Sequence, residues 1–196
     1  LLAIPTRWLL RRHGVGVDRA SWADFARLGV RPASLRERVR AAVDLYPADL
    51  LVVHRDAEGE PPENRREEIR RAVEGVPCLV ASAIPVRMLE AWLLHDERAI
   101  RMASGNPNGS VTLSVPKVSA LERVTDPKET LRAALLDSAE ASGRRLRKKQ
   151  QEFGEMRALT AERIETFEPL LALPAFAAFD QSIAAAVAQW RAPRAG

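Results

Sequence analysis

Two short runs of branched and apolar residues set the limits on what this chain folds into. Asp49-Leu-Leu-Val-Val-His54 and Cys78-Leu-Val-Ala-Ser-Ala-Ile84 each have the length of one buried strand, and turn-forming residues bound both. Between them, ENRREEIRRAVE at 63–74 reads as a charged surface helix with Ile69, Ala72 and Val73 facing inward. After the second run, Pro85 opens VRMLEAWLLHDERAI, whose pattern predicts another helix. Strand, helix, strand, helix in this order predicts parallel strands joined by right-handed crossovers. The expected fold class is α/β: a small Rossmann-like parallel sheet with helices on both faces and a helical C-terminal part. The expected division is an α/β core over 1–118 and a helical part over 119–196 packed on it.

The flanks read as helices. LLAIPTRWLLRRH at 1–13 places Leu2, Trp8 and Leu9 inward and stops at Gly14. Residues 14–34 give a short helix or an irregular segment around SWADFARLG. Ser34 caps LRERVRAAVDLY, which ends before Pro47. The Gly/Asn/Pro loop at 104–118 holds at most a short strand at 111–115. Asp126-Pro127-Lys128-Glu129 has a cap, proline at the first helical position and glutamate at the third, and starts a helix over 127–142. Two further helices are expected at roughly 155–172 and 175–190.

Composition removes several classes of function. With 46% hydrophobic and 29% charged residues in 196, the chain is an ordinary globular one, long enough for a core that buries roughly 70% of its unfolded surface. One cysteine, Cys78, excludes a disulfide framework and a multi-cysteine zinc site. His13, His54 and His95 lie far apart without metal-site spacing. No apolar run approaches the ~20 residues of a membrane span, and no signal peptide is visible, so the expected location is cytoplasmic. There is no GxGxxG, Walker-type GxxxxGK or GxSxG motif, which removes the common dinucleotide, P-loop and hydrolase readings. The net charge is +4, and the basic set is 26 Arg to 4 Lys; this permits phosphate partners without requiring them.

Open parallel sheets bind ligands beyond the carboxyl ends of their strands. The first run leads into Asp56 and Glu58, within HRDAEGE; the second leads into Glu90, within PVRMLEAW. Carboxylates gathered without histidine or cysteine suit Mg²⁺ or Mn²⁺, which polarises a phosphoryl oxygen or supplies a bound hydroxide. For Glu58 a plain turn-forming role carries equal weight. Arg87 and Glu90, three apart, equally suit an intrahelical ion pair, although their surroundings (Met88, Leu89, Trp92, Leu93) are very apolar. Asp96 and Asp126 are read as helix caps. Lys128 and the run GRRLRKKQQ, with Arg144, Arg145, Arg147, Lys148 and Lys149, offer either a phosphate-contacting stripe or a solvated face.

The combination of HRDAEG after a strand, IPVRMLEAWLLHDERAIR, SGNPNG and DPKETL resembles the bacterial domain-of-unknown-function 4276 proteins of the TOPRIM-like group, from about residue 49 to AFAAFDQSIAAAV. TOPRIM domains use a glutamate after the first strand and an Asp-x-Asp pair after a later one to hold Mg²⁺ for phosphodiester chemistry. The resemblance puts that pair on Asp56 and Glu58, with glutamate in the second place. The first-strand glutamate has no counterpart in the chain; the family's opening strand and Glu-Gly turn would fall before Leu1. The resemblance implies a Mg²⁺-dependent nuclease acting on nucleic acid in phage defence. Asp56, Glu58 and Glu90 would then be metal ligands, Arg87 would face the phosphate, and Lys128 with Arg144, Arg145, Arg147 and Lys148 would steer the backbone. The alternative is a catalytically silent adaptor that binds a partner ATPase or nucleic acid. A small-nucleotide phosphohydrolase is a third reading.

Overall fold

The computed structural model describes residues 1–25, 29 and 31–193. The protein is mixed α/β, 56% helical, with helices around a two-stranded parallel sheet. It divides into two compact units: Thr6–Val86 with Ala175 onward, here the strand unit, and Leu1–Pro5 with Arg87–Pro174, here the helical unit. The break falls at Val86 and Arg87, earlier than the sequence suggested, and the last helix belongs with the strands.

In the strand unit, α1 (Ala3–Arg12) enters from the first five residues, followed by α2 (Leu35–Leu45), β1 (Leu50–His54), α3 (Pro62–Ala72) and β2 (Leu79–Ala83). The last helix, α8 (Pro174–Arg191), completes it. Gly14 ends α1 as expected, at φ +72, where its N–H and that of Val15 reach back to the carbonyls of Arg11 and Leu10. Residues 14–25 contain no helix, and residues 26–28 and 30 of SWADFARLGV lie outside the described residues. Ser34 caps α2 by accepting the Glu37 N–H. The strands pair in parallel from Leu50↔Leu79 to His54↔Ala83. They are half-buried rather than buried throughout, because each strand of a two-stranded sheet keeps an open edge; Val53, Ala81 and Ala83 alone are fully covered. One apolar cluster joins Val39 of α2, Val53 of β1, Ala57, Ile69 and Ala72 of α3, and Ile84. Burying each of its larger side chains contributes about 1.5–3 kcal/mol. Ser182 of α8 accepts the Ser82 N–H of β2 at 2.9 Å, and Asp180 of α8 pairs with His13 at 2.7 Å.

The helical unit contains α4 (Glu97–Ser104), α5 (Pro127–Ser138), α6 (Gly143–Gln151) and α7 (Phe153–Arg163), with 3-10 turns at Leu89–Leu93, Val118–Arg123 and Glu168–Ala172. Helices α4, α5 and α7 pack together through residues spaced three and four apart, including Ile100, Leu131, Leu135 and Met156. Asp96 and Asp126 cap α4 and α5 by accepting the N–H groups of Ala99 and Glu129, as their sequence context predicts.

The loop at 104–118 forms no strand at 111–115. Two expectations are corrected. The helix expected from Pro85 is replaced by extended chain through Met88 and a 3-10 turn, because Pro85 and Val86 continue the strand pairing and so cannot start a helix. The helix expected over 155–172 ends at Arg163, and a separate 3-10 turn follows at Glu168–Ala172; Pro169, with no N–H to donate, keeps the two from running on as one helix.

Candidate functional site

The segment after β1 does not leave the sheet at once. Arg55, Ala57 and Gly59 donate their N–H groups to the carbonyls of Ala83, Pro85 and Val86 at 3.1, 2.9 and 3.0 Å. This ladder holds His54–Ala57 extended along the chain that follows β2, and Glu58 and Gly59 turn at its end. In extended chain, side chains two apart share a face, and His54 Nε2 accordingly meets Asp56 Oδ1 at 3.0 Å. The pair is partly buried, with Asp56 31% exposed. Glu58 then turns the chain at φ +57, a left-handed conformation that a non-glycine residue adopts at a cost of about 1–3 kcal/mol. Its side chain is 72% exposed.

Arg65 of α3 anchors this turn from below. Its Nε donates to the Asp56 carbonyl at 3.1 Å, and its two terminal nitrogens reach Glu68 at 3.0 Å and Glu58 at 3.4 Å. Arg55 adds a second contact to Glu68. The local balance is three carboxylates, Asp56, Glu58 and Glu68, against Arg55 and Arg65. Glu68 is held by both arginines, which leaves Asp56, paired with His54, and Glu58, 72% exposed, as the carboxylates nearer to hand for a cation. One or two carboxylates completed by water and a substrate phosphate is the donor set Mg²⁺ commonly takes, so these residues fit it. Among the described residues, no group of three or more His, Cys, Asp or Glu side chains is gathered as a metal site.

Glu90 lies in the helical unit and is 6% exposed, within the 3-10 turn LEAWL. Its partner is Arg157 of α7, whose guanidinium donates to Oε1 at 2.7 Å, and not Arg87 three residues before it. Extended backbone at Met88 removes the helical spacing that an Arg87–Glu90 pair needs; Arg87 is exposed. Among the described residues the buried Arg157 Nε has no hydrogen-bond partner. Lys128 stands exposed in the first turn of α5. Arg144, Arg145 and Arg147 are exposed on α6, which buries no residue, and Lys148 and Lys149 share Glu152 at 3.5 and 3.6 Å.

Glu67 and Cys78 are among the titrating groups elsewhere that depart from their ordinary behaviour. Hydrogen bonds from Arg70 and Arg71 hold the Glu67 carboxyl down to about 2. Burial raises the Cys78 thiol, which leaves it a poor nucleophile near neutral pH.

Sequence reasoning missed Arg65 and Arg157. Lys149, read there with the basic run, stands four residues after Arg145 and so shares its helical face. Arg65 shows only its i,i+3 spacing to Glu68; its contact with Glu58, and that of Arg157 with Glu90, carry no local signal, since they are set by how α3 and α7 pack.

No family model matches the chain, and no curated protein or solved structure matches it. Among the described residues no helix is long and apolar enough to cross a membrane.

Proposed function

We propose that the chain is a Mg²⁺-dependent phosphodiester-processing protein of TOPRIM-like, Rossmann-like type acting on nucleic acid. The observation that supports this best is the placement of Asp56: just past the carboxyl end of a parallel strand, partly exposed, and fixed by His54 and the Arg65 anchor. Asp56 and Glu58 would hold the ion, which when bound polarises a phosphoryl oxygen. His54 orients the Asp56 carboxylate, and Arg65 sets the turn that carries Glu58. Lys128 and the exposed cations of α6 would attract the nucleic-acid backbone. Glu90, tied to Arg157, is assigned to holding the helical unit together instead of to the metal, and Arg87 remains a candidate phosphate contact.

The test is cleavage of end-labelled DNA and RNA with Mg²⁺ or Mn²⁺, using the native chain and Asp56→Ala. Metal-dependent cutting that falls at least about a hundredfold in the variant, with the thermal midpoint unchanged, is the expected result. Cleavage by Asp56→Ala at the native rate refutes it.

A second reading is favoured by one observation. Asp56 and Glu58 already have cationic or hydrogen-bonding partners, His54 and Arg65, within the chain. A silent adaptor that binds nucleic acid or a partner ATPase would show binding without cleavage in the same assay.

A further inference from the structure

The helical unit contains a cleft of about 300 Å³ that the strand-end site does not use. One wall is the SGNPNG turn after α4, including Ser104 and Asn106; the other is the α5–α6 turn with Glu140, and Arg145 and Lys149 of α6. The turn is rigidly built. Gly105 sits at φ +81, and its N–H and that of Asn106 close α4 on the carbonyls of Met102 and Arg101. Asn106 is tied to the Ser138 carbonyl at 3.0 Å, and Arg101 holds the carbonyls of Gly109 and Val111 at 2.9 and 2.7 Å.

The charges in the cleft are sorted. Glu140 lies in the left-handed region at φ +47, and its Oε1 accepts the N–H groups of Ser110 and Val111 at 2.6 and 3.0 Å. One oxygen of its carboxylate is therefore committed to the loop backbone. Arg145 has no ion-pair partner among the described residues. Lys149 lies close over the end of α4, where a Cβ added to Gly105 would stand 3.6 Å from its Nζ. Its one acidic contact, Glu152, is at 3.6 Å and is shared with Lys148. A fork-shaped donor and a point charge, one helical turn apart over a preformed concave wall, match a phosphate group. Gly105, Glu140 and Arg145 are all exposed, so the cleft admits a phosphate that belongs to a larger molecule.

We infer that this cleft, through Arg145 and Lys149, is where the chain grips a phosphate of a nucleic-acid backbone. The inference deepens the proposed function and rests on it for the choice of nucleic acid. It separates two of the five basic residues of α6 from the rest: Arg145 and Lys149 make the contact, while Arg144 and Arg147 only add to the field.

The experiment is fluorescence anisotropy with a labelled single-stranded oligonucleotide of about 20 nucleotides, in chelator so that no cleavage occurs. Arg145→Ala with Lys149→Ala is expected to weaken binding at least about tenfold and to lower the slope of log affinity against log salt by about 1.4. Arg144→Ala with Arg147→Ala removes the same charge and is expected to cost less than about threefold. The exchange Arg145→Lys with Lys149→Arg should restore most of the affinity, which a mere folding defect would not allow. Equal losses in the two double variants overturn the inference, as does no loss in either. Inorganic phosphate, a mononucleotide and polyglutamate serve as competitors. Tighter binding of either small phosphate, or equal competition by polyglutamate, overturns the backbone assignment. Cleavage that persists without binding through these residues refutes the cleft alone. Binding that persists without cleavage refutes the hydrolytic function alone.

Discussion

Removing Arg157 should expose the cost of Glu90, the buried carboxylate among the described residues. Glu90 is 6% exposed, and the Arg157 guanidinium at 2.7 Å is its hydrogen-bonding partner. Breaking a buried pair by deleting one partner costs about 3–5 kcal/mol, because the remaining charge is left without compensation. One feature lowers that figure here: about a third of the Arg157 side chain sees water, which screens the attraction. Arg157→Met should therefore destabilise the protein by about 2–3 kcal/mol, or about 4–12 °C in a chain of this length. Glu90→Gln, which keeps an acceptor for Arg157, should cost about 1–2 kcal/mol. Adding Glu90→Leu to Arg157→Met should recover at least about 1 kcal/mol, since an apolar pair leaves no charge behind. Urea and thermal unfolding of the native protein, Arg157→Met, Glu90→Leu and the double variant form a double-mutant cycle. Arg157→Met within about 0.5 kcal/mol of native, or strictly additive effects, would refute the assignment of Glu90 to a structural ion pair.

Asp126→Ala removes the acceptor for the Glu129 N–H at 2.9 Å and should cost about 1 kcal/mol, read as a fall of about 2–4 °C in thermal midpoint. Glu67 gives a pH signature. Its carboxyl is lowered from 4.5 to about 2 by Arg70 and Arg71, so its contribution is complete above the unfolded value and is lost as pH falls from about 4.5 towards 2. Glu67→Gln should make the acid limb of the stability curve shallower in that window and leave neutral pH almost unchanged, with the difference shrinking in high salt because all three side chains are at the surface. A native-like acid limb in the variant would refute the pairing.

Much of the scaffold was legible because its signals are local. Branched runs set both strands, and Ser34, Asp96 and Asp126 set three helix starts by side-chain capping that needs nothing distant. Gly14 likewise ended α1 where a left-handed residue was needed. The misreadings arose where a longer-range term outweighed the local one. Pairing of Ala57 and Gly59 with Pro85 and Val86 kept extended a stretch whose apolar spacing favours a helix. At 155–172 the apolar periodicity spans two separate elements, α7 and a 3-10 turn, and Pro169, which has no N–H to donate, is the local mark that they are not one helix. The strand-end position of Asp56 followed from alternation and fold class. The partners that define the site's electrostatics, Arg65 for Glu58 and Arg157 for Glu90, came from helices 7 and 67 residues onward in sequence and had no local mark.

The most direct test of the strand-end site is calorimetric titration of Mn²⁺ into the native protein and into Asp56→Ala, each alone and with a non-cleavable oligonucleotide. Saturable binding to the native chain that disappears in the variant is the expected result, and it would place a divalent ion at the carboxyl end of β1. Undiminished binding by Asp56→Ala, or none by the native protein even with the oligonucleotide present, would contradict a metal-dependent role for Asp56 and Glu58.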